Sequence, residues 1–552
     1  MYQQVLDPIA DSLGLSSIFA ALPLLVLFVL LGVLRITAWI SGLVALLTAI
    51  LVAVFVYPMP LDQAVLAATE GATFGFFPIL WIVINAIWVY NMTVTTGHFD
   101  VLRRSFARVS DDQRIQAVII AFCFGALLEA LAGFGTPVAI TSVMLIALGF
   151  RPIKAATLAL VANTAPVAFG ALAVPIITLG TVTELPVDDL GSMVGRQTPI
   201  LAVVVPLALV FIVDKGRGVR QVWPAALLCG ITFAIAQFAT SNYLSVPLTD
   251  IVASLVSAAA VVGFLQVWHP AESYTEELEP ATAGGAGGGT SDAGAAAGED
   301  VARHDPPAEV LRAYSPYLII IGVFVIAQIP AVLDALDSVT VLFNWPGLHI
   351  LNPAGEASTI STFKFNWLAA AGTLMVISGL LTIPALGISP AKALRAYVDT
   401  YRQLVTAIVT VMAVLALAYV MNSSGQTGTL GAWMAGTGGF FAIISPILGW
   451  LGVAVTGSDT SSNSLFGALQ VKAAMDAGLD PLLIAAANSS GGVLGKMISP
   501  QNLAIAAAAV GLAGKEGDLF RRVFGWSLLL LLGMCVLVYL QSTSVLSWMV
   551  PS

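Results

Sequence analysis

Charge is what this sequence has least of. Its 552 residues include 22 Lys and Arg and 31 Asp and Glu, 10% in all, where a soluble domain carries about 25%. With 58% hydrophobic residues and a mean hydropathy of +0.94, no soluble fold of this length could hide its apolar surface. A bundle facing lipid need not, because the bilayer core is itself apolar. Cysteine is scarce too. Cys123, Cys229 and Cys535 stand far apart in apolar stretches, which reads as small buried hydrophobes and not as disulfides or a zinc site. The four histidines (His98, His269, His304, His349) fall in loops or a linker, which argues against a histidine proton relay. No basic stripe with interleaved aromatics points to nucleic acid. Gly-rich runs lack a Walker-type Lys-Ser/Thr ending, and no nucleophile elbow with partners is found. Neither an enzyme nor a cofactor or metal is therefore expected. Asp7 and Asp11 stand where a cleavable signal peptide would be basic, so the first apolar run should stay in the membrane.

What is present is a series of apolar runs, clearest over 18–34, 38–57, 115–150, 201–213, 222–238, 251–267, 317–332, 367–386, 404–421, 440–455 and 524–540. Others are interrupted by Gly, Pro, Asn, Ser and Thr. A helix crossing a ~30 Å hydrocarbon core needs about 20 such residues. The expected fold is an all-α polytopic membrane protein with about 12–14 membrane segments, some broken or re-entrant. Basic clusters Arg103/Arg104/Arg108/Arg114, Lys215/Arg217/Arg220, Lys392/Arg395/Arg402 and Lys515/Arg521/Arg522 mark cytoplasmic loops, with Arg35 on the same side. The stretch 333–365 has acids and a single Lys364 and is expected outside, as are both termini. Residues 269–313 contain "ATAGGAGGGTSDAGAAAGED", a Gly/Ala-rich acidic run that reads as a disordered cytoplasmic linker. It separates a first membrane half, 1–268, from a second, 314–552. An outer N-terminus and an inner linker require an odd number of crossings in the first half. The second half then runs inverted, as an inverted-topology repeat needs.

Each half carries a polar, Gly-broken stretch. The first reads "ALLEALAGFGTPVAITS" then "LVANTAPVAFGALAVPI"; the second reads "GVAVTGSDTSSNSLFGAL" then "IAAANSSGGVLGKMISPQN". Asn163, Gly170 and Pro175 are spaced like Asn488, Gly495 and Pro500. Gly and Pro inside an apolar segment free backbone groups that lipid cannot satisfy, so such breaks persist where they line a cavity or bind something. A half-helix starting at a break aims its N–H groups at an anion. Candidate substrate-binding residues are therefore Gly133, Gly135, Thr136, Asn163, Thr164, Gly457, Ser458, Thr460, Asn488, Ser489, Ser490 and Lys496. The competing reading is that Gly, Ser and Thr merely let helices pack closely.

Embedded ionisable groups are few, and each is a functional candidate. Glu129 lies in an apolar run four residues before Gly133. Asp459 lies in "TGSDTSS", where Ser and Thr should solvate it better, and Lys496 follows Gly495. Glu129 and Asp459 are the proton-coupling candidates, Glu129 first because its setting is apolar. An Asp459–Lys496 ion pair is the structural alternative. Glu70 is read as lying near a helix end, and Arg35, Arg151 and Lys154 as interfacial anchors. These residues alone reach a secondary carrier of a small anion. A sodium-coupled carboxylate carrier, a channel and a membrane-embedded enzyme remain as alternatives.

The segments "LLEALAGFGTPVAI", "ANTAPVAFGALAVPI", "TGSDTSSNSLFGALQ" and "ANSSGGVLGKMISPQN" resemble those of the L-lactate permease family. The resemblance runs over nearly the whole chain outside the linker. It departs from the pattern at Ala130, where a Gly would follow the acid. It implies a carrier in the bacterial cytoplasmic membrane that imports L-lactate, with D-lactate and glycolate as related 2-hydroxy monocarboxylate substrates, together with protons. It also implies a site between paired re-entrant hairpins. The expected partners are thus these substrates, protons and the lipid bilayer; a homodimer is left open.

Overall fold

The computed structural model describes all residues except 35, 108, 132, 134, 276–304, 328, 359–360, 513–514 and 552. Arg35, Arg108 and the Gly/Ala-rich run thus lie outside the described residues. Among those described, ten helices are long and apolar enough to cross a membrane, eleven with one bent pair. The longest, Val187–Tyr243, leaves helical geometry at Asp214 and Lys215 and turns back on itself. Gly230 packs on the backbone of Ala202 and Val203, and Thr198 bonds Gln237. Counting it as two crossings takes the eleven to twelve, the lower end of the expected range. The apolar helices Thr136–Ala147 and Ala371–Leu386 are too short to span unaided.

Two of the basic loops, 104–114 and 214–221, meet. Arg114, fully buried, bonds both carboxylate oxygens of Asp112, reaches Asp214 at 3.1 Å and donates to Gln221 and to the Glu272 carbonyl. Its guanidinium lies over the Tyr274 ring. Arg104 pairs with Asp305 at 2.8 Å. Both ends of the 269–313 stretch are therefore held against the loops at 104–114 and 214–221, and its last residues already belong to the helix Pro307–Ala327. Glu272, exposed beside Arg217, has its carboxyl held below the usual range by hydrogen bonds from Arg217 and Gln221.

Short strands qualify the all-α expectation. Tyr2–Gln3 pairs in parallel with Ile350–Leu351, and Val341–Asn344 pairs antiparallel with Thr362–Phe365. This puts the N-terminus and the 333–365 stretch on one side. Tyr2 Oη donates to the carbonyls of Tyr57 and Ser424, and Gln4 Nε2 to those of Asn422 and Ser423. The N-terminal segment thereby adds donors to the carbonyls that close the helix Pro390–Ser424, where backbone partners run out.

Two hairpins organise the centre. The first joins Thr136–Ala147 to Pro152–Ala162 and leads through a 3₁₀ turn, Val167–Phe169, into the exit helix Gly170–Thr183. The second joins Asp459–Ala477 to Pro481–Gly495 and leads through Lys496–Ile498 into Pro500–Ala509. Each turn has a left-handed glycine, Gly149 or Gly478, and each second arm starts with proline, Pro152 or Pro481. These pairs, and the two 3₁₀ turns, are all 329 residues apart. The packing is reciprocal. The first hairpin lies on the exit helix of the second, and the second lies on the exit helix of the first. Such an exchange is what two repeats about a shared axis produce.

Candidate functional site

Glu129 lies in the last turn of the buried helix Gly125–Leu131, just before the chain turns through Gly133 (φ +53°) and Gly135 (φ +80°). These are left-handed conformations that glycine adopts without a Cβ penalty. Gly135 also packs against Ile505 and Asn502 of the other half's exit helix. Asn163, capping Pro152–Ala162, donates its Nδ2 to Glu129 Oε2 at 2.9 Å. Lys496, opening the second 3₁₀ turn, brings Nζ to Oε1 at 2.5 Å. The three are 3%, 4% and 6% exposed. Both breaks thus meet at one buried carboxylate. Gly170 lies beneath it, where an added Cβ would come 2.7 Å from Oε1. The chain then leaves through Ala171, Leu172 and Ala173, all with positive φ. Such conformations cost L-residues roughly 1–2 kcal/mol each and persist where the surroundings over-determine them.

Asp459 begins the second hairpin. Gly457 (φ +76°) closes the helix Phe441–Thr456, and the Ser458 hydroxyl caps the helix that follows. Asp459 Oδ2 accepts from Ser489 Oγ at 2.5 Å, while Oδ1 has no partner. Its neighbours do not solvate it as expected: at 3% exposure it is as enclosed as Glu129. No ion pair joins it to Lys496 among the described residues; that cation meets Glu129. The alternative of an Asp459–Lys496 pair gives way to one across the halves, because the reciprocal packing brings Lys496 to Glu129.

The two asparagines differ in role. Asn488 donates to Asn463 Oδ1 at 2.8 Å and accepts from Gln470 Nε2 at 2.6 Å, and Asn463 reaches the Pro175 carbonyl of the other half. Asn488 therefore ties the arms of its hairpin together, whereas Asn163 faces the carboxylate. Their matched spacing of 325 residues differs by four from the 329 that relates the breaks themselves, one helical turn. Thr164 bonds back to the Val161 carbonyl. Thr136 and Thr460 are half-buried, and no side-chain hydrogen bond to either hydroxyl is recorded among the described residues. Ser490 Oγ and Asn163 Oδ1 are buried without partners.

Three further polar groups lie deep in the bundle. Glu70, one turn before the end of the α-helix Leu61–Phe74, is 1% exposed with Oε2 unpartnered. Asp250 and Gln237 are fully buried and bonded to each other. Asp250 sits one residue ahead of an apolar run, where an acid looks like an interfacial end.

Comparison with known proteins bears on this arrangement. The family model described as L-lactate permease matches residues 16–545. The chain belongs to the L-lactate permease family. Among its relatives, an L-lactate permease of Bacillus subtilis (strain 168) is 41% identical over 575 residues, covering 100% of both chains. The glycolate permease GlcA of Escherichia coli (strain K12) is 42% identical over 542 residues, covering 96% of each. Among solved structures, Neisseria gonorrhoeae MtrF aligns with a TM-score of 0.47 at 14% identity, over 87% of this chain and 84% of that one. The family and the apolar helices together make this a multi-pass protein of the plasma membrane.

Proposed function

We propose that this family member imports L-lactate and related 2-hydroxy monocarboxylates, D-lactate and glycolate among them, in symport with protons. The observation that carries the reading is the Glu129–Lys496 pair, a buried carboxylate before the first hairpin and a buried cation after the second, supplied by opposite halves. The relatives' names, one for L-lactate and one for glycolate, give the substrate class: small acids with a hydroxyl beside the carboxylate.

The chemistry follows from competition for one cation. While Glu129 is ionised, Lys496 is engaged. A proton added to Glu129 removes the charge that holds Lys496, which then offers its ammonium to the substrate carboxylate. Asn163 Oδ1 and Ser490 Oγ, both without partners, are suited to the substrate hydroxyl. The proton and the anion thus enter together. Carrying the anion alone against an inside-negative potential would cost about 2.3 kcal/mol per 100 mV, and one co-transported proton removes that cost.

The test is labelled lactate uptake into proteoliposomes with pH, sodium and voltage gradients imposed separately. A pH gradient alone, acid outside, should drive accumulation. Uptake driven by sodium at equal pH, with none driven by protons, would overturn the coupling. Glu129→Gln, fixed in the neutral form, should lose uphill pH-driven uptake yet retain lactate exchange between equal compartments. Uphill uptake at the wild-type rate in that variant would remove Glu129 from the role.

A further inference from the structure

Asn502 stands where three parts of the site meet. It lies in the first turn of the exit helix Pro500–Ala509 and is 2% exposed. Its Nδ2 donates to Ser499 Oγ at 2.8 Å, and the Ser499 hydroxyl in turn donates to the Lys496 carbonyl at 3.0 Å. The same Nδ2 reaches the Gly457 carbonyl at 3.5 Å, a long bond to the break that precedes Asp459. On its other side, a Cβ added to Gly135 would come 3.4 Å from Asn502 Oδ1. One amide therefore touches the second break and, from the opposite half, the first, and is joined through Ser499 to the turn that carries Lys496.

Helix capping explains part of this and leaves the rest. Ser499 caps Pro500–Ala509 by accepting from the Asn502 backbone N–H at 3.3 Å, which asks for no particular side chain at 502. The rest of the helix is mostly alanine, a better helix former than asparagine, and burying an amide costs free energy unless it is bonded. The bonds that keep Asn502 here lead to Lys496 and to Gly457. Gln501 supports the same junction, since a Cβ on Gly457 would come 3.2 Å from its Cβ. The exit helix thus begins flat against the second break, and the Lys496 backbone is tied to both.

We propose that Asn502 is a positioning residue for Lys496: through Ser499 it holds the lysine's turn to the second break, and so sets the affinity for the substrate carboxylate. The proposal rests on the reading above, in which Lys496 leaves Glu129 for that carboxylate. A lysine stem has several rotatable bonds, and ordering it on binding costs part of the free energy gained at its ammonium. Starting the stem from a fixed carbonyl and a fixed turn lowers that cost. Asn502 touches no substrate in this scheme. It acts on the backbone from which the ammonium is presented.

The experiment uses the full chain in proteoliposomes and reads exchange of labelled L-lactate and of labelled glycolate at symmetric pH, separating KM from kcat. In Asn502→Ala, KM should rise about two- to tenfold, the range that one neutral hydrogen bond is worth, while kcat stays near wild type, the mark of lost binding. The factor should be the same for both substrates, which share the carboxylate and differ by a methyl group. Ser499→Ala should raise KM to a similar extent, and the double variant no further, because both residues act on one carbonyl. An unaltered KM in Asn502→Ala overturns the positioning role. So does a fall in kcat at unchanged KM, the mark of a merely structural residue, or a rise for one substrate alone, which would set Asn502 against the methyl group. Where Asn502→Ala does not reach the membrane, Ser499→Ala carries the test, and a wild-type KM there overturns the role. The double variant Lys496→Met with Glu129→Gln separates the two readings. If its KM for lactate is that of the wild type, Lys496 is not the carboxylate's cation and the underlying reading has failed. If its KM rises or exchange is lost, and Asn502→Ala matches the wild type, the positioning role alone has failed.

Discussion

Lys496 and Glu129 are 367 residues apart in sequence and share one hydrogen bond in the interior. Removing one partner leaves the other charged and buried, which typically costs 3–5 kcal/mol, whereas removing both need not. Lys496→Met should therefore lower melting temperature and membrane abundance, and adding Glu129→Gln should recover them without recovering uphill transport. Fluorescence-detected gel filtration after heating reads the first effect and liposome uptake the second; a double variant as unstable as the single one would contradict the pairing. The asparagines should separate in the same assays. Asn163→Leu removes a donor to the carboxylate and should change apparent affinity for lactate more than stability. Asn488→Leu strands both Gln470 and Asn463, at about 1–3 kcal/mol for each buried group left unpaired, and should change stability first. At this scale the sequence was legible in kind. Acids, a lysine and amides inside apolar runs announced themselves, but which amide met which acid depended on a packing between halves that spacing along one strand of sequence does not carry.

At the scale of elements, helix breaks are the most readable feature, because Gly and Pro in an apolar run have a physical cost that something must offset. The breaks at Gly133–Gly135 and Gly457 lie where the sequence has them. Their pairing does not: matching Asn163 to Asn488 aligned similar letters, whereas the turns and prolines align four residues away. A helix has the same face after about one turn, so composition could not tell the two registers apart. The three left-handed residues Ala171–Ala173 carry no glycine signal at all. The second arm of the second hairpin also approaches the helix Phe441–Thr456 closely. Gly449 packs on the Asn488 backbone, and Gly491 and Gly495 on the backbones of Pro446 and Trp450. Close packing by small residues, the competing reading of these glycines, is thus true of several while Gly133, Gly135 and Gly457 make turns. Gly491→Ala should destabilise the protein by about 1–3 kcal/mol through overpacking, seen as a fall in melting temperature in detergent. Unchanged stability would mean the two helices can separate at little cost.

At the scale of the molecule, composition alone settled the solvent, and two of the basic loops, 104–114 and 214–221, meet through Arg114. The number of crossings among the described residues reaches the low end of the expected range only when Val187–Tyr243 is counted as two. The 269–313 stretch is anchored at both of its described ends, and the run between them has the composition of a tether. Shortening it by deleting residues 281–298 should leave lactate uptake and abundance near wild type, since loop-closure free energy changes only slowly with length. Loss of uptake at normal abundance would assign that run a specific role.

The N-terminal clasp has a consequence for the order in which the molecule is made. Tyr2 and Gln4 are made long before most of their partners, which apart from the Tyr57 carbonyl are residues 350–351 and 422–424. At about 5–20 residues per second, the ribosome supplies those partners tens of seconds after the segment that needs them. Until then the bonds to residues 350–351 and 422–424 cannot form, so the clasp is a late event in biogenesis, closing only when much of the second half has been made.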